Sequence, residues 1–335
     1  MAPPPSVPSG TAAPAPGQAL RDRLDGLLFF PVTAFGRDGG IDLPAYREHL
    51  RSRVDAGAVA VFAACGTGEF FSLDPDEYAA VVRAAVEEAA RAANGPLPVV
   101  AGTGYGGALA RRFARAAREA GADGLLAFPP YVADGGPEGL RAHYTALAAD
   151  AGLPVILYQR DGVRFPPGLV ADLAAVPDIV GFKDGRGDLE LVRRIVGAVR
   201  DRHGDGALAY FNGMPTAELS APAYRAAGVE RYSSAAYAFA PDIAMAFHRA
   251  FRAGDETTAA RLLDGFYRPL AELRDLGRGY AVSLVKAGVR LDGVDVGPVR
   301  PPLTEPPPAH LDRLAEIVTA GRALLAGPAP EGVAP

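Results

Sequence analysis

A lysine ends a short apolar run near the middle of the chain, where Ile179–Gly185 reads IVGFKDG. The chain has 34 lysine and arginine residues together, and only Lys183 and Lys286 are lysine. Arginine therefore supplies positive charge almost everywhere else. Arginine cannot supply a primary amine that loses its proton and attacks carbon. This scarcity favours Lys183 as a nucleophile over the generally commoner alternative, a solvated lysine that closes a strand.

Further polar side chains follow the other apolar runs, at the points where buried strands would end. They are mostly hydroxyls and phenols, without a cluster of histidines or carboxylates: Thr67, Glu69, Thr103, Tyr105, Tyr131, Tyr158, Asn212, Ser233 and Ser234. The five histidines all fall in predicted helices: His49, His143, His203, His248 and His310. A bound divalent metal is therefore not expected, because zinc and calcium sites need several clustered ligands.

The stretch Gly102–Gly107 matches the G-x-G-x-x-G pattern of dinucleotide-binding proteins. That pattern also requires an acidic residue at the end of the next strand, where a ribose would lie. The next predicted strand ends in Phe128-Pro129-Pro130 instead. The match therefore indicates a tight turn and no nucleotide cofactor. The single cysteine, Cys65, has no histidine partner in the sequence pattern and is expected to be a small buried residue.

Eight apolar runs alternate with amphipathic stretches along most of the chain. The runs lack two-residue alternation, which is typical of parallel strands buried on both faces. The predicted strands are 27–32, 58–63, 98–101, 123–128, 154–159, 178–183, 208–212 and 229–233. We therefore expect an α/β protein: a (β/α)8 TIM barrel over residues 20–252, with a C-terminal helical layer over 253–327. Functional side chains of such barrels lie at the carboxyl ends of the strands, where Lys183 falls.

The two ends of the chain, 1–19 and 328–335, are rich in proline and alanine and are predicted to be disordered tails. The amino-terminal stretch lacks the basic and apolar regions of a secretory signal peptide. A net charge of −5 and a pI of about 5.6 argue against nucleic acid or an anionic membrane as partner. With one cysteine and no apolar run of about 18 residues, a cytoplasmic protein is expected.

Three sites together resemble a known family. Cys65–Glu69 after the second strand, Tyr158 ending the fifth and Lys183 ending the sixth are similar to the Schiff-base class I aldolases typified by dihydrodipicolinate synthase and N-acetylneuraminate lyase. The resemblance covers nearly everything outside the two tails. It implies a barrel in which Lys183 forms an imine with the ketone of a 2-oxo acid and Tyr158 shuttles protons. It further implies that Gly66 and Thr67 hold the substrate carboxylate.

Three differences separate the chain from the synthases of that family. A threonine of the synthase loop is Gly66 here, an arginine five residues after the tyrosine is Val163, and a double tyrosine is Pro130-Tyr131. The chain is more similar to a branch whose members remove water and carbon dioxide from a six-carbon 5-dehydro-4-deoxy sugar diacid. Motifs that resemble that branch are Gly66–Leu73, Phe128–Tyr131, Phe182–Gly185, Phe211–Gly213 and Tyr232–Ala235.

A diacid substrate needs groups that hold its two carboxylates and its hydroxyls. The candidates are Gly66, Thr67, Tyr131, Gly213, Ser233, Ser234 and Arg160. For Arg160, a solvated position at the strand end is an equal alternative. The chemistry that the resemblance implies needs no metal and no organic cofactor, because the protonated imine on the lysine accepts the electrons.

Two other interpretations stay open. The chain could be another 2-oxo-acid aldolase, lyase or synthase of the same family, or a barrel that binds a sugar acid without converting it. The resemblance also implies a homodimer or homotetramer. Apolar positions in a helix predicted over 255–276 point the same way, since one barrel alone could leave them uncovered. They are Leu262, Leu263, Phe266, Leu270 and Leu273.

Overall fold

The computed structural model of the chain describes residues 16–133 and 135–326. Its strands are β1 (Leu28–Phe29), β2 (Ala60–Ala63), β3 (Val99–Thr103), β4 (Gly124–Ala127), β5 (Val155–Gln159), β6 (Ile179–Asp184), β7 (Ala209–Asn212) and β8 (Arg231–Ser234). Each strand pairs in parallel with the next, and β8 closes the barrel by pairing with β1. The predicted fold class and the eight strands are confirmed.

The observed bounds of all eight strands differ from the predicted ones, by at most three residues at either end, and β1 and β6 show the reasons. Only Leu28 and Phe29 of the first apolar run pair with neighbouring strands, although the run continues, buried, to Val32. The later residues of this run are apolar because they are buried, although they do not pair with a neighbouring strand. Strand β6 extends one residue beyond the prediction because Asp184 still pairs with its neighbours on β5 and β7.

Helices occupy the connections between strands and the start of the chain. They are α1 (Pro16–Arg23), α2 (Leu43–Val54), α3 (Pro75–Ala89), α4 (Gly107–Glu119), α5 (Pro137–Ala151), α6 (Pro167–Leu173), α7 (Leu189–His203), α8 (Ala217–Ala226) and α9 (Pro241–Ala253). Helix α1 begins inside the predicted tail 1–19. Proline suits a first helical position, and the buried Leu20 anchors the helix. The rest of that tail, and the tail 328–335, lie outside the described residues.

The C-terminal layer consists of α10 (Glu256–Leu262), α11 (Arg268–Arg274), α12 (Tyr280–Leu291) and α13 (Pro308–Ala323). A turn of π-helix at Leu263–Tyr267 divides the single helix predicted over 255–276. Pro269 accounts for the division, because it has no backbone N–H to bond the carbonyl four residues earlier. No helix in the described part of the chain is long and apolar enough to cross a membrane.

The apolar face of this layer is covered within one chain. Leu262 and Phe266 are fully buried, and Leu270 and Leu273 are nearly so. Helices α9 and α13 pack over this part of the layer. The reason given above for an oligomer is therefore wrong, because the layer folds back and buries its own apolar side chains.

Candidate active site

Lys183 lies on β6, one residue before the strand ends, and its side chain is only 5% exposed. Its Nζ lies 4.2 Å from the ring centre of Phe30 and 4.7 Å from that of Tyr158. Burial lowers the pKa of the amine to about 7, and the positive charge of Arg160 acts in the same direction. A large fraction of the amine is therefore neutral near neutral pH, the form that attacks a carbonyl carbon.

Tyr158 lies directly opposite Lys183 on the neighbouring strand β5. Its hydroxyl donates to the backbone carbonyl of Gly213 at 3.2 Å. Burial raises the pKa of the hydroxyl to about 12, so it keeps its proton at neutral pH. The two adjacent strand ends thus place a neutral amine and a protonated phenol side by side.

Two glycines give these side chains their room. A Cβ on Gly213 would lie 2.5 Å from Cε of Lys183, and a Cβ on Gly185 would lie 3.0 Å from the hydroxyl oxygen of Tyr158. The first of these distances is shorter than side chains adopt and the second is tighter than most, so any larger residue at 213 would displace the lysine. The predicted site residue Gly213 is therefore required by packing against Lys183.

Asp184 holds the end of β6 and was not among the predicted site residues. Its carboxylate accepts hydrogen bonds from Gln159 Nε2 at 2.7 Å, from the backbone N–H of Gly187 at 3.1 Å and from the Tyr224 hydroxyl. Side chains alternate along a strand, so this carboxylate lies on the face opposite to the Lys183 amine. The neighbouring acid therefore fixes the strand without forming an ion pair with the lysine.

The loop after β2 turns tightly through two residues in the left-handed region. Ala64 has φ 47° and Glu69 has φ 54°. The turn presents Gly66 and Thr67 to the space above Lys183. Cys65 is fully buried, as predicted, and burial raises the pKa of its thiol to about 12. The loop therefore offers backbone and a hydroxyl to a ligand, and the cysteine remains a neutral thiol.

Lys183 lies in a cavity of about 140 Å³ that opens to solvent. The predicted residues that line it with Lys183 are Gly66, Thr67, Tyr158, Arg160, Gly213 and Ser233. Helix α12 closes one side with Ala281 and Val282, which the sequence analysis did not identify. No local pattern in α12 indicates that this helix returns to the mouth of the barrel.

Arg160 follows β5 and brings a second cation to the cavity. Its Nη1 lies 3.2 Å from the position that a Cβ on Gly66 would take. Glycine at 66 therefore leaves space for the guanidinium. Arg160 Nε pairs with Asp161 at 3.1 Å, but the Asp161 side chain is 60% exposed. Such exposed pairs contribute little stability, so the guanidinium is available to an anion in the cavity.

Two predicted binding residues do not line the cavity. Ser234 follows Ser233 on β8 and faces the other way, where its hydroxyl donates to Glu218 at 2.5 Å. Tyr131 packs against Phe71, with ring centres 5.3 Å apart, and its hydroxyl oxygen is buried. The predicted placement of Ser234 is wrong because successive side chains of a strand point to opposite faces. Tyr131 is a neighbour of the cavity wall and not part of it.

Other strand-end residues serve the fold. Thr103 and Asn212 donate to backbone carbonyls of the helices that follow them, at 2.7 and 2.9 Å. Glu69 forms a buried ion pair with Lys286 at 2.9 Å. Within residues 16–133 and 135–326, no group of three His, Cys, Asp or Glu side chains is placed to hold a metal ion.

The chain was compared with known proteins and solved structures. The sequence signature of the dihydrodipicolinate synthetase family matches residues 23–321. A Streptomyces griseus protein described as a probable 5-dehydro-4-deoxyglucarate dehydratase is 60% identical over 322 residues, which are 96% of this chain and 99% of that protein. A Streptomyces coelicolor protein of the same description is 60% identical over 300 residues, covering 90% and 94% of the two chains. The crystal structure of dihydrodipicolinate synthase from Bacillus clausii has a TM-score of 0.81 at 26% identity, covering 90% and 99%.

Proposed function

This chain belongs to the dihydrodipicolinate synthetase family, and from that premise we propose that it is a hydro-lyase that converts 5-dehydro-4-deoxyglucarate to 2,5-dioxopentanoate, water and carbon dioxide. The observation that carries the proposal is the buried amine of Lys183, which lies beside the Tyr158 ring and, among the residues that the structure describes, pairs with no carboxylate. Relatives that are 60% identical over nearly the whole chain bear the description of this dehydratase. The runner-up, another 2-oxo-acid aldolase or synthase, would use the same two residues.

The reaction begins at the ketone that neighbours one carboxylate. The neutral amine of Lys183 adds to the ketone carbon, and loss of water gives a protonated imine. Gly66 and Thr67 face the same space, and we assign them to the neighbouring carboxylate through backbone N–H groups and the hydroxyl. The rings of Phe30 and Tyr158 exclude water from the amine and so favour its neutral form before attack.

Water is then eliminated across the next two carbons. The protonated imine withdraws electrons from the adjacent CH2, which loses a proton and forms an enamine. The enamine expels the hydroxyl from the following carbon, and the proton lost by the CH2 balances the hydroxide as water. Tyr158, whose ring centre lies 4.7 Å from the lysine nitrogen, is assigned to relay this proton: its hydroxyl gives its own proton to the departing hydroxide and takes up the one from the CH2.

Decarboxylation follows along the same conjugated system. The dehydrated iminium is conjugated with the new double bond, so the electrons of the distal carbon–carboxylate bond can move toward the nitrogen as carbon dioxide leaves. The enol that forms becomes the aldehyde, and hydrolysis of the imine releases 2,5-dioxopentanoate and restores Lys183. Arg160, Ser233 and Gly213 line the cavity and are assigned to the distal carboxylate and the hydroxyls.

A product assay tests the proposal directly. Purified protein with 5-dehydro-4-deoxyglucarate should release carbon dioxide and 2,5-dioxopentanoate in equal amounts, without added metal and at the same rate with a chelator present. Pyruvate with aspartate semialdehyde should give no appreciable product. If this second pair reacts well and the diacid does not, the dehydratase assignment fails while the Schiff-base assignment stands.

We also propose that the enzyme acts as a homodimer or homotetramer, as the family resemblance implies. Leu262, Phe266, Leu270 and Leu273 are buried within one chain, so we expect the association to use other side chains. Large apolar side chains that remain exposed include Phe71, Leu276 and Leu291, at 42%, 65% and 50%. Light scattering at assay concentration measures the state, and a fully active monomer would contradict this part of the proposal.

A further inference from the structure

A buried ion pair joins the C-terminal helical layer to the loop that carries Gly66 and Thr67. We infer that Glu69 and Lys286 are positioning residues, which hold this loop in the conformation that receives the substrate carboxylate. The inference rests on the proposed function in one respect, since it takes Gly66 and Thr67 as the carboxylate site.

The Glu69 carboxylate is held at both oxygens by segments that are distant in sequence. Oε1 accepts from Lys286 Nζ at 2.9 Å, and Oε2 accepts from the backbone N–H of Arg300 at 2.9 Å. The side chains of Glu69 and Lys286 are completely buried. Nζ of Lys286 also lies 4.0 Å from the ring centre of Phe35. The carboxylate is therefore fixed by protein groups with no access to solvent.

A backbone hydrogen bond connects Glu69 to the part of the loop that carries Gly66 and Thr67. The N–H of Glu69 donates to the carbonyl of Gly66 at 3.1 Å, and the carbonyl of Gly68, the residue before Glu69, accepts from the Thr33 hydroxyl at 2.7 Å. The backbone of Glu69 is left-handed, with φ 54°, which is disfavoured for a residue with a side chain. Such a conformation persists only where surrounding contacts impose it. The ion pair supplies such a contact.

Helix α12 contributes both to the cavity wall and to the ion pair with Glu69. Val282 lines the cavity, and Lys286 lies four residues later, on the same face of the helix. One helix therefore forms a wall of the cavity and anchors the loop after β2. A shift of α12 would change both together.

A second ion pair of the same helical layer provides a matched control. Arg53 of α2 pairs with Asp292, directly after α12, and their side chains are 6% and 20% exposed. This pair also ties the layer to the barrel, but neither residue lines the cavity or contacts the loop after β2. Its loss should reduce stability without a change in substrate binding.

The test compares Glu69→Gln and Lys286→Met with Asp292→Asn. Borohydride trapping of pyruvate on Lys183 gives the half-saturating concentration of a 2-oxo acid, and steady-state kinetics gives KM for the diacid. In the first two variants we expect both values to rise about tenfold or more, as misplacement of a binding group does, with a smaller change in kcat. In Asp292→Asn we expect a lower Tm and unchanged half-saturation.

Unchanged half-saturation in folded Glu69→Gln or Lys286→Met protein would overturn the inference and leave the pair a purely structural one. If the single variants do not fold, the double variant Glu69→Gln/Lys286→Met removes both charges and leaves neither buried alone. Normal trapping by that folded double variant would overturn the inference as well. Wild-type protein that traps pyruvate but releases no carbon dioxide from the diacid would refute the proposed function alone.

Discussion

The two lysines of the chain are both buried against an aromatic ring, and they differ in the charge that faces them. Nζ of Lys183 lies 4.2 Å from the ring centre of Phe30, and Nζ of Lys286 lies 4.0 Å from that of Phe35. Burial lowers the pKa of both amines, to about 7 and about 8 respectively. Lys286 has Glu69 at 2.9 Å, whereas within the described chain Lys183 forms no ion pair.

Burial alone therefore does not make a lysine a nucleophile. At Lys286 the Glu69 carboxylate favours the charged form of the amine and accepts a hydrogen bond from it. At Lys183 the nearby charge is that of Arg160, which favours the neutral amine. We therefore assign a structural cation to Lys286 and a reactive amine to Lys183, and substitutions should affect the two positions differently.

The largest expected difference comes from arginine at each position. Lys183→Arg should abolish turnover, by about 10⁵-fold or more, because guanidinium keeps its proton and cannot form the imine. Lys286→Arg should stay within about tenfold of wild type, because Glu69 needs only a cation. Steady-state assays of both variants measure this, and borohydride trapping with peptide mapping should place the adduct on Lys183. An adduct on Lys286 would reverse the roles assigned to the two lysines.

Removal of the Tyr158 hydroxyl tests another difference between the two lysines. A phenol ring lies beside Lys183, and the Phe35 ring lies beside Lys286. Tyr158→Phe keeps the ring beside the amine and removes the hydroxyl to which we assign the proton transfer. Turnover should fall by about 10²–10⁴-fold while imine trapping is largely retained. Single-turnover kinetics with trapping separates these two steps. A near-normal rate would reassign the proton transfer to another group.

Stability should change in opposite directions when each amine is removed. Lys286→Met leaves the buried Glu69 carboxylate without its cation and should cost about 3–5 kcal/mol of unfolding free energy. Lys183→Met should stabilise the protein, because the pKa of this amine is lower in the folded state than in the unfolded one, about 7 against about 10.4. Between these two pKa values the lysine is protonated in the unfolded state and mostly neutral in the folded state. The loss of folding stability that Lys183 causes, and that the mutation removes, is therefore largest below pH 7 and disappears above about pH 10.4.

Urea unfolding of these two variants beside wild type, at pH 6.5 and at pH 9, measures both effects. The gain for Lys183→Met should be larger at the lower pH. Destabilisation by Lys183→Met at both pH values would show that the amine is not buried in its neutral form.

The pH profile gives the smallest of the expected effects. Below the pKa of Lys183, kcat/KM should rise about tenfold per pH unit and level off above pH 7, as the amine becomes neutral. Arg160→Met should move the midpoint to higher pH, because removal of a positive charge eases protonation of the lysine. Lys286→Arg should leave the midpoint in place. A midpoint that follows Lys286 variants would contradict the assignment.

The barrel and the reactive pair could be predicted from local sequence. Continuous apolar runs specify buried parallel strands, and strand ends meet at one face of such a barrel, so Lys183 and Tyr158 follow from their positions. The alternation of side chains along β8 would also have excluded Ser234 once Ser233 was taken to face the cavity.

The cavity wall from α12 and the role of Lys286 could not be predicted in this way. Glu69 and Lys286 are 217 residues apart, and neither has a local pattern that identifies its partner. Val282 lines the cavity only because α12 packs across the mouth of the barrel. Contacts of this kind depend on how the helical layer docks, which periodicity in the helix itself does not specify.

The burial of both lysine amines has a further consequence for labelling of the native enzyme. No lysine side chain of this chain is available at the surface, since Lys286 is fully buried and Lys183 is 5% exposed. A small amine-reactive reagent that modifies a lysine of the folded protein must therefore have entered the catalytic cavity. The extent of lysine modification then reports the fraction of open sites, and a bound sugar diacid should protect the protein from the reagent.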